Sequence, residues 1–153
     1  LGGALAVDDV DEVGQRRGLA HAGCASDEDQ TALAPDHVVE DVTRPEQGAI
    51  YRLSGDRNPI HIDPDFAKMA GFERPFMHGL CTYGFVGRAI LRTLCGGDPA
   101  RLSSFAARFA DQVYFGDTII TKIWRAGAGE AIVQAETQKG AVVLSQARAT
   151  FRS

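Results

Sequence analysis

The chain has 153 residues and a net charge of −4, with 44% hydrophobic and 24% charged residues. That suits one domain with one core, and it leaves no basic footprint for nucleic acid. No apolar run is long enough to span a bilayer, so no membrane segment is expected. Three cysteines (Cys24, Cys81, Cys95) without CxxC spacing point away from both a disulfide scaffold and a zinc ribbon, and toward a reducing compartment. The sequence opens at Leu1 with no basic stretch followed by an apolar run, and Phe151-Arg152-Ser153 is not a peroxisomal address. A cytoplasmic location is the expectation.

Charge divides the chain in two. Residues 1–34 hold seven acids (Asp8, Asp9, Asp11, Glu12, Asp27, Glu28, Asp29) against Arg16 and Arg17, with no aromatic residue. This reads as an acidic arm, a linker or the stub of another domain, with the compact unit beginning near Pro35.

Val38 to Val42 is a short strand candidate. Thr43 is placed to cap a helix that carries Pro45 and Glu46 in its first turn and runs to about Leu53. Ser54 to Pro64 is loop-like, punctuated by Gly55, Asn58-Pro59 and Asp63-Pro64. Pro64 to Ala70 suits a short helix ended by Gly71. Gly79 to about Cys95 is the longest helical pattern, about 25 Å at 1.5 Å per residue. Its apolar residues cover most of the circumference and only Arg88 and Arg92 mark a polar edge, so the spacing predicts a helix buried nearly all round.

Beyond Gly96-Gly97-Asp98-Pro99 the period becomes two. Phe105, Ala107, Phe109, Asp111 and Val113 share one face of a predicted strand. Thr118 to Arg125 follows, then a strand with Ala131, Val133, Ala135 and Thr137 on one face. The last puts Val143, Ser145, Ala147, Ala149 and Phe151 on one face. Gly127-Ala128-Gly129 and Lys139-Gly140 are hairpin turns. The order predicts an α+β protein: an antiparallel sheet wrapped around one long central helix, the hot-dog fold.

Reactive groups concentrate between Tyr51 and Pro64. Asp56 and His61 lie five apart across the punctuated loop, and a carboxylate with an imidazole can hold one water and move its protons. The competing reading is that Asp56 caps a turn and His61 is structural. Gly79 opens the long helix, where the first backbone N–H groups lack internal partners and carry the positive end of the dipole. With no side chain to shield its N–H, Gly79 is a candidate oxyanion donor, unless it only permits a turn. Asp56, His61, Asp63 and His78 are also possible cation ligands, but His61-Ile62-Asp63 is too short to specify a site, and no metal is expected. Cys81 reads as a buried hydrophobe rather than a nucleophile. Ser54 with His61 lacks a nucleophile elbow.

Together these segments resemble a known signature. Tyr51-Arg-Leu-Ser-Gly-Asp56-Arg-Asn58-Pro-Ile-His61-Ile-Asp-Pro64, Ala70-Gly-Phe72 and Pro75-Phe-Met-His78-Gly79-Leu80 resemble the MaoC-like (R)-specific enoyl-CoA hydratases, over residues 35–153. Pro35 to Gln47 is similar to the entry into the catalytic second half of two-hot-dog members, and Arg108-Phe109 with Val113 to Thr118 resembles a later strand and turn. The resemblance implies (R)-specific addition of water to trans-2-enoyl-CoA, or the reverse dehydration. Asp56 and His61 would be the catalytic pair and Gly79 the donor to the thioester oxygen. Arg57, Asn58, Pro59, Ile60 and Phe109 would line the acyl-CoA site. No metal or redox cofactor is implied, because the thioester itself acidifies C2.

Phe115 and Phe76 depart from the family, which often has Pro at the first and Ile or Leu at the second; Phe76 is placed to reshape an acyl pocket. Residues 1–34 do not resemble a first hot-dog half. Pairing is therefore expected, as a homodimer, a dimer of dimers or with a second hot-dog chain. Basic residues including Arg57, Arg74, Arg88, Arg92, Arg108, Lys122 and Arg125 are candidates for the coenzyme A phosphates. The competing functions are a thioesterase, a dehydratase of carrier-bound acyl chains, and a non-catalytic acyl-CoA-binding subunit.

Overall fold

The computed structural model describes residues 31–152. Residues 1–30, most of the predicted acidic arm, lie outside the described residues. Five strands form one antiparallel sheet: β1 (His37–Val42), β2 (Leu102–Phe109), β3 (Thr118–Gly127), β4 (Glu130–Thr137) and β5 (Val142–Phe151). Their order across the sheet is β1-β3-β4-β5-β2. Two short helices, α1 (Gln47–Tyr51) and α2 (Pro64–Met69), precede the long helix α3 (Gly79–Leu94).

Alternation in β3 and β4 sends Ile119, Thr121 and Ile123, with Ala131, Val133 and Ala135, to one buried face. Val86, Ile90 and Leu94 of α3 join these residues in the core. This is the helix-on-sheet packing of the hot-dog fold. Gly129 and Gly140 supply the positive φ that the two hairpin turns need. At Gly129 even a Cβ would lie 2.5 Å from the Phe151 carbonyl oxygen.

Four expectations are corrected. Thr43 caps no helix. Its buried hydroxyl donates to the Asp117 carbonyl at 2.8 Å and accepts from the Gly116 N–H at 3.0 Å. It thus pins the end of β1 to the turn before β3, and the sequence pattern of a cap cannot be told from that of a long-range clamp. Second, α3 is buried on one side only: Leu80 is 64% exposed, and Gly84 and Arg88 are exposed beside it. The five strands cover one side of the helix, so its apolar circumference exceeds what they can bury.

Third, the strand expected through Val113 ends at Phe109. The chain then turns back, and the Val113 carbonyl accepts from the Met77 N–H at 2.7 Å. Fourth, alternation in β5 breaks at Gln146, which takes φ +47°. The register jumps there, with Val133 facing Ala147 but Ala135 facing Leu144. This bulge brings Leu144, rather than Ser145, to the core face.

Candidate functional site

The loop between α1 and α2 carries the polar cluster. Asp56 Oδ1 accepts from the Asn58 N–H at 3.1 Å, and Asn58 Oδ1 accepts from the Ile60 N–H at 3.1 Å. Asn58 thereby caps a 3₁₀ turn, Pro59–His61, with proline at its first position. Two successive Asx-type bonds explain why this Gly/Pro-rich stretch takes one shape. Asp63 caps α2 in the same way, accepting from the Asp65 and Phe66 N–H groups, and so turns away from the cluster.

The 3₁₀ turn delivers His61 into a buried position. Its Nδ1 lies 2.8 Å from the Phe76 carbonyl oxygen. A carbonyl only accepts, so Nδ1 carries the hydrogen and Nε2 is the nitrogen left to take up a proton. The ring stacks on His78 with centroids 3.8 Å apart, and the far side of this pair is closed by Tyr51, 4.5 Å from His78. His78 is 1% exposed, and its Nε2 lies 3.3 Å from the Asp56 carbonyl oxygen. Burial pushes the His78 imidazole below its ordinary value; the adjacent His61 pushes the same way, and Asp56 opposes both. Burial also raises the Tyr51 phenol.

One ligand atom from each of Asp56, His61 and His78 falls within 4.8 Å of the others. The rings do not suit a shared ion. An ion held by both must lie near both ring planes, and planes stacked at 3.8 Å and inclined by only 30° meet well beyond a metal–nitrogen bond of about 2.0–2.1 Å. A carboxylate and an imidazole within 4.8 Å of each other instead suit proton transfer through a held water.

Directly after His78, α3 begins. The His78 carbonyl accepts from the N–H groups of Cys81 and Thr82, which leaves those of Gly79 and Leu80 outside the helix's internal ladder. The Phe109 ring lies across Gly79, 3.3 Å from where a Cβ would stand. A cavity of about 280 Å³ opens here between Phe72, Phe76, Gly79, Thr82, Phe109 and Val113. A largely apolar hollow ending at an unpaired helix N-terminus fits a thioester with an apolar acyl chain.

The sequence of residues 28–147 matches the family described as MaoC like domain. The chain belongs to this family. It is 52% identical over 103 residues to the 3-hydroxyacyl-thioester dehydratase Y of Mycobacterium tuberculosis, covering 67% of this chain and 36% of that protein. It is 47% identical over 113 residues to the mouse peroxisomal multifunctional enzyme type 2, covering 74% and 15%. Among solved structures, a MaoC-like dehydratase from Phytophthora capsici superposes with a TM-score of 0.77 at 41% identity, covering 79% of this chain and 41% of that one. The chain thus spans well under half the length of these relatives.

Within this MaoC-like domain, Asp56 and His61 lie together with His78, and Gly79 follows His78 as the first residue of α3. Phe109, the last residue of β2, lays its ring against Gly79. Asn58, Pro59 and Ile60 shape the turn below His61, while Arg57 is exposed and offers its carbonyl to Arg52 Nη1 at 2.8 Å. Of the basic candidates, Arg88 is held by Asp41 at 2.6 Å and Lys122 by Glu136 at 2.7 Å. Arg74 and Arg125 lie over the rings of Tyr114 and Phe151. Sequence reasoning gave no site role to Tyr51 and weighed His78 only as a ligand; the one available signal was that both sit inside the motif segments. Cys81 is buried with its thiol raised by burial, which suits packing rather than attack.

Proposed function

We propose that this chain catalyses (R)-specific hydration of trans-2-enoyl-CoA to (3R)-3-hydroxyacyl-CoA, and the reverse dehydration. The observation that carries the reading is the approach of the Asp56 carboxylate to the His61 imidazole beside the open N-terminus of α3. The names of its relatives, a 3-hydroxyacyl-thioester dehydratase and enoyl-CoA hydratase 2 from Arabidopsis thaliana, support it.

Asp56 and His61 hold the water, and His61 Nε2 or the carboxylate takes one proton from it. The water oxygen bonds to C3. The C2–C3 π pair moves onto C2 and the thioester carbonyl, whose oxygen is met by the Gly79 N–H as negative charge develops. A proton from the pair then closes C2–H, and the thioester carbonyl is restored. Positioned acid–base groups contribute about 10²–10⁴-fold to such a step, and one oxyanion donor about 10²–10³-fold. No step calls for a metal or redox group. A second hot-dog unit, from another copy or another chain, would cover the open side of α3, where Tyr83, Gly84, Gly87, Leu91, Leu102 and Phe105 line a hollow of about 450 Å³.

The test is loss of the absorbance of the conjugated enoyl thioester, with crotonyl-CoA and a C8 2-enoyl-CoA, and chiral analysis of the product. Turnover to the (3R) product that drops at least about 10²-fold in Asp56→Asn and His61→Ala supports the proposal. Turnover unchanged in both variants, or release of free thiol without hydration, overturns it.

A further inference from the structure

We propose that His78 is a positioning residue that holds Asp56 in register with His61, an inference that rests on the hydratase reading above. Among the described residues, the other hydrogen bonds of Gly55–Ile60 are local. They run to the preceding turn at Arg52, between Asp56, Asn58 and Ile60, and onward from Asn58 and Pro59 to His61, Ile62 and Asp63. Local bonds fix the loop's shape but not its place. The bond from His78 Nε2–H to the Asp56 carbonyl is different, crossing 22 residues of sequence.

Its origin matters as much as its reach. The Phe76 carbonyl fixes the His61 ring, His78 fixes the Asp56 backbone, and Gly79 follows at once as the first residue of α3. Four consecutive residues therefore set the mutual placement of carboxylate, imidazole and helix N–H. The strand-like bridge of Phe76 to Tyr114 and the Met77 bond to Val113 tie those four residues to the segment that joins β2 to β3.

The proton inventory agrees. The Asp56 carbonyl can only accept, so His78 carries its hydrogen on Nε2. Its Nδ1 is buried with no hydrogen-bond partner. A second proton would sit there with no acceptor, against the His61 ring on one face and Tyr51 on the other. Of the groups that face it, His61 and Arg52 oppose protonation and Asp56 favours it, and burial with the first two outweighs Asp56. His78 thus stays neutral, a fixed donor that does not compete with His61 for the proton in transit.

The experiment pairs kinetics with nitrogen-15 spectra of histidine-labelled protein. His78→Phe keeps a ring between Tyr51 and His61 but removes the bond. Its kcat is expected to fall about 10–100-fold with KM within about threefold, as for an ångström-scale misplacement. His78→Gln, which restores an N–H donor, is expected to recover part of kcat. In the wild-type chain, His78 is expected as the neutral Nε2–H tautomer from pH 7 to 8, with a slowly exchanging proton. A His78→Phe kcat within twofold of wild type, or a His78 that titrates in that range or carries its proton on Nδ1, overturns the inference. If His78→Phe does not fold, the wild-type spectrum and the Gln variant decide. A wild-type chain without hydratase activity defeats the functional reading, while the spectrum still reports on the anchor.

Discussion

Gly48→Ala tests whether the packing behind His61 sets the site. Gly48 is buried in α1, and a Cβ there would stand 2.6 Å from Phe115 Cζ and 2.8 Å from the His61 carbonyl oxygen. Comfortable carbon–carbon contacts are about 3.5–4.0 Å, so one side must yield by roughly 1 Å. The half-buried Phe115 ring can retreat. The His61 carbonyl belongs to a capped 3₁₀ turn whose next two N–H groups, of Ile62 and Asp63, bond back to Pro59. Overpacking of this kind costs about 1–3 kcal/mol, and replacing a helical Gly by Ala returns about 0.8–1.0 kcal/mol. The net is a loss of up to about 2 kcal/mol, or up to roughly 8 °C in Tm for a chain of this size. Turnover should suffer more, because the displaced group carries the imidazole: kcat is expected to fall about 10²-fold. Thermal melts and enoyl-CoA kinetics well below Tm give both numbers. A variant with wild-type Tm and wild-type kcat would show that α1 does not brace His61.

Three further outcomes are expected. Asn58→Ala loses the cap on the His61 turn and should cost about 0.5–2 kcal/mol in urea unfolding, whereas Asn58→Asp keeps an acceptor and should cost less; equal losses would refute the capping role. Burial alone would raise the Asp117 carboxyl, but hydrogen bonds from Gln138, Lys139 and the Tyr114 N–H outweigh it and hold the group below its ordinary value. The stability it gives is full above about pH 3.9 and is lost as pH falls through the lower folded value, so Asp117→Asn should flatten the acid limb of stability against pH; parallel limbs would contradict this. Cys81 and Cys95 are buried with thiols raised by burial, so iodoacetamide at pH 8 should spare both in the native chain and label both in urea, as read by peptide mass spectrometry.

Much of this was legible in the residues. The period-two runs located β3 and β4, which pair in unbroken register from Ile119 to Arg125, and Gly79 to Leu94 followed from a helical pattern bounded by glycines. The Asp56–His61 pair and Gly79 stood out because their types carry chemistry and their motif is dense. What escaped depends on distance in three dimensions. Thr43 has the local context of a helix cap, and only the arrival of Gly116 and Asp117 turns its hydroxyl to another use. The β5 bulge at Gln146 leaves no composition mark, since the residue at positive φ is not glycine. Tyr51 and His78 read as an aromatic and a histidine in separate segments, and the stack of His78 on His61, with Tyr51 against His78, exists only once α1 and the entry to α3 meet.

The Thr43 clamp has a consequence for how the chain acquires its shape. Its hydroxyl reaches a carbonyl 74 residues further on, and among the described residues β1 pairs only with β3. On a ribosome, β1 and the whole loop bearing Asp56 and His61 are made well before the strand that secures them. Such non-local pairing is the slow class of folding, milliseconds to seconds rather than microseconds. Until β3 emerges, Val38 and Val42 offer an unpaired apolar edge, the interval in which the nascent chain is most open to sticking to its neighbours.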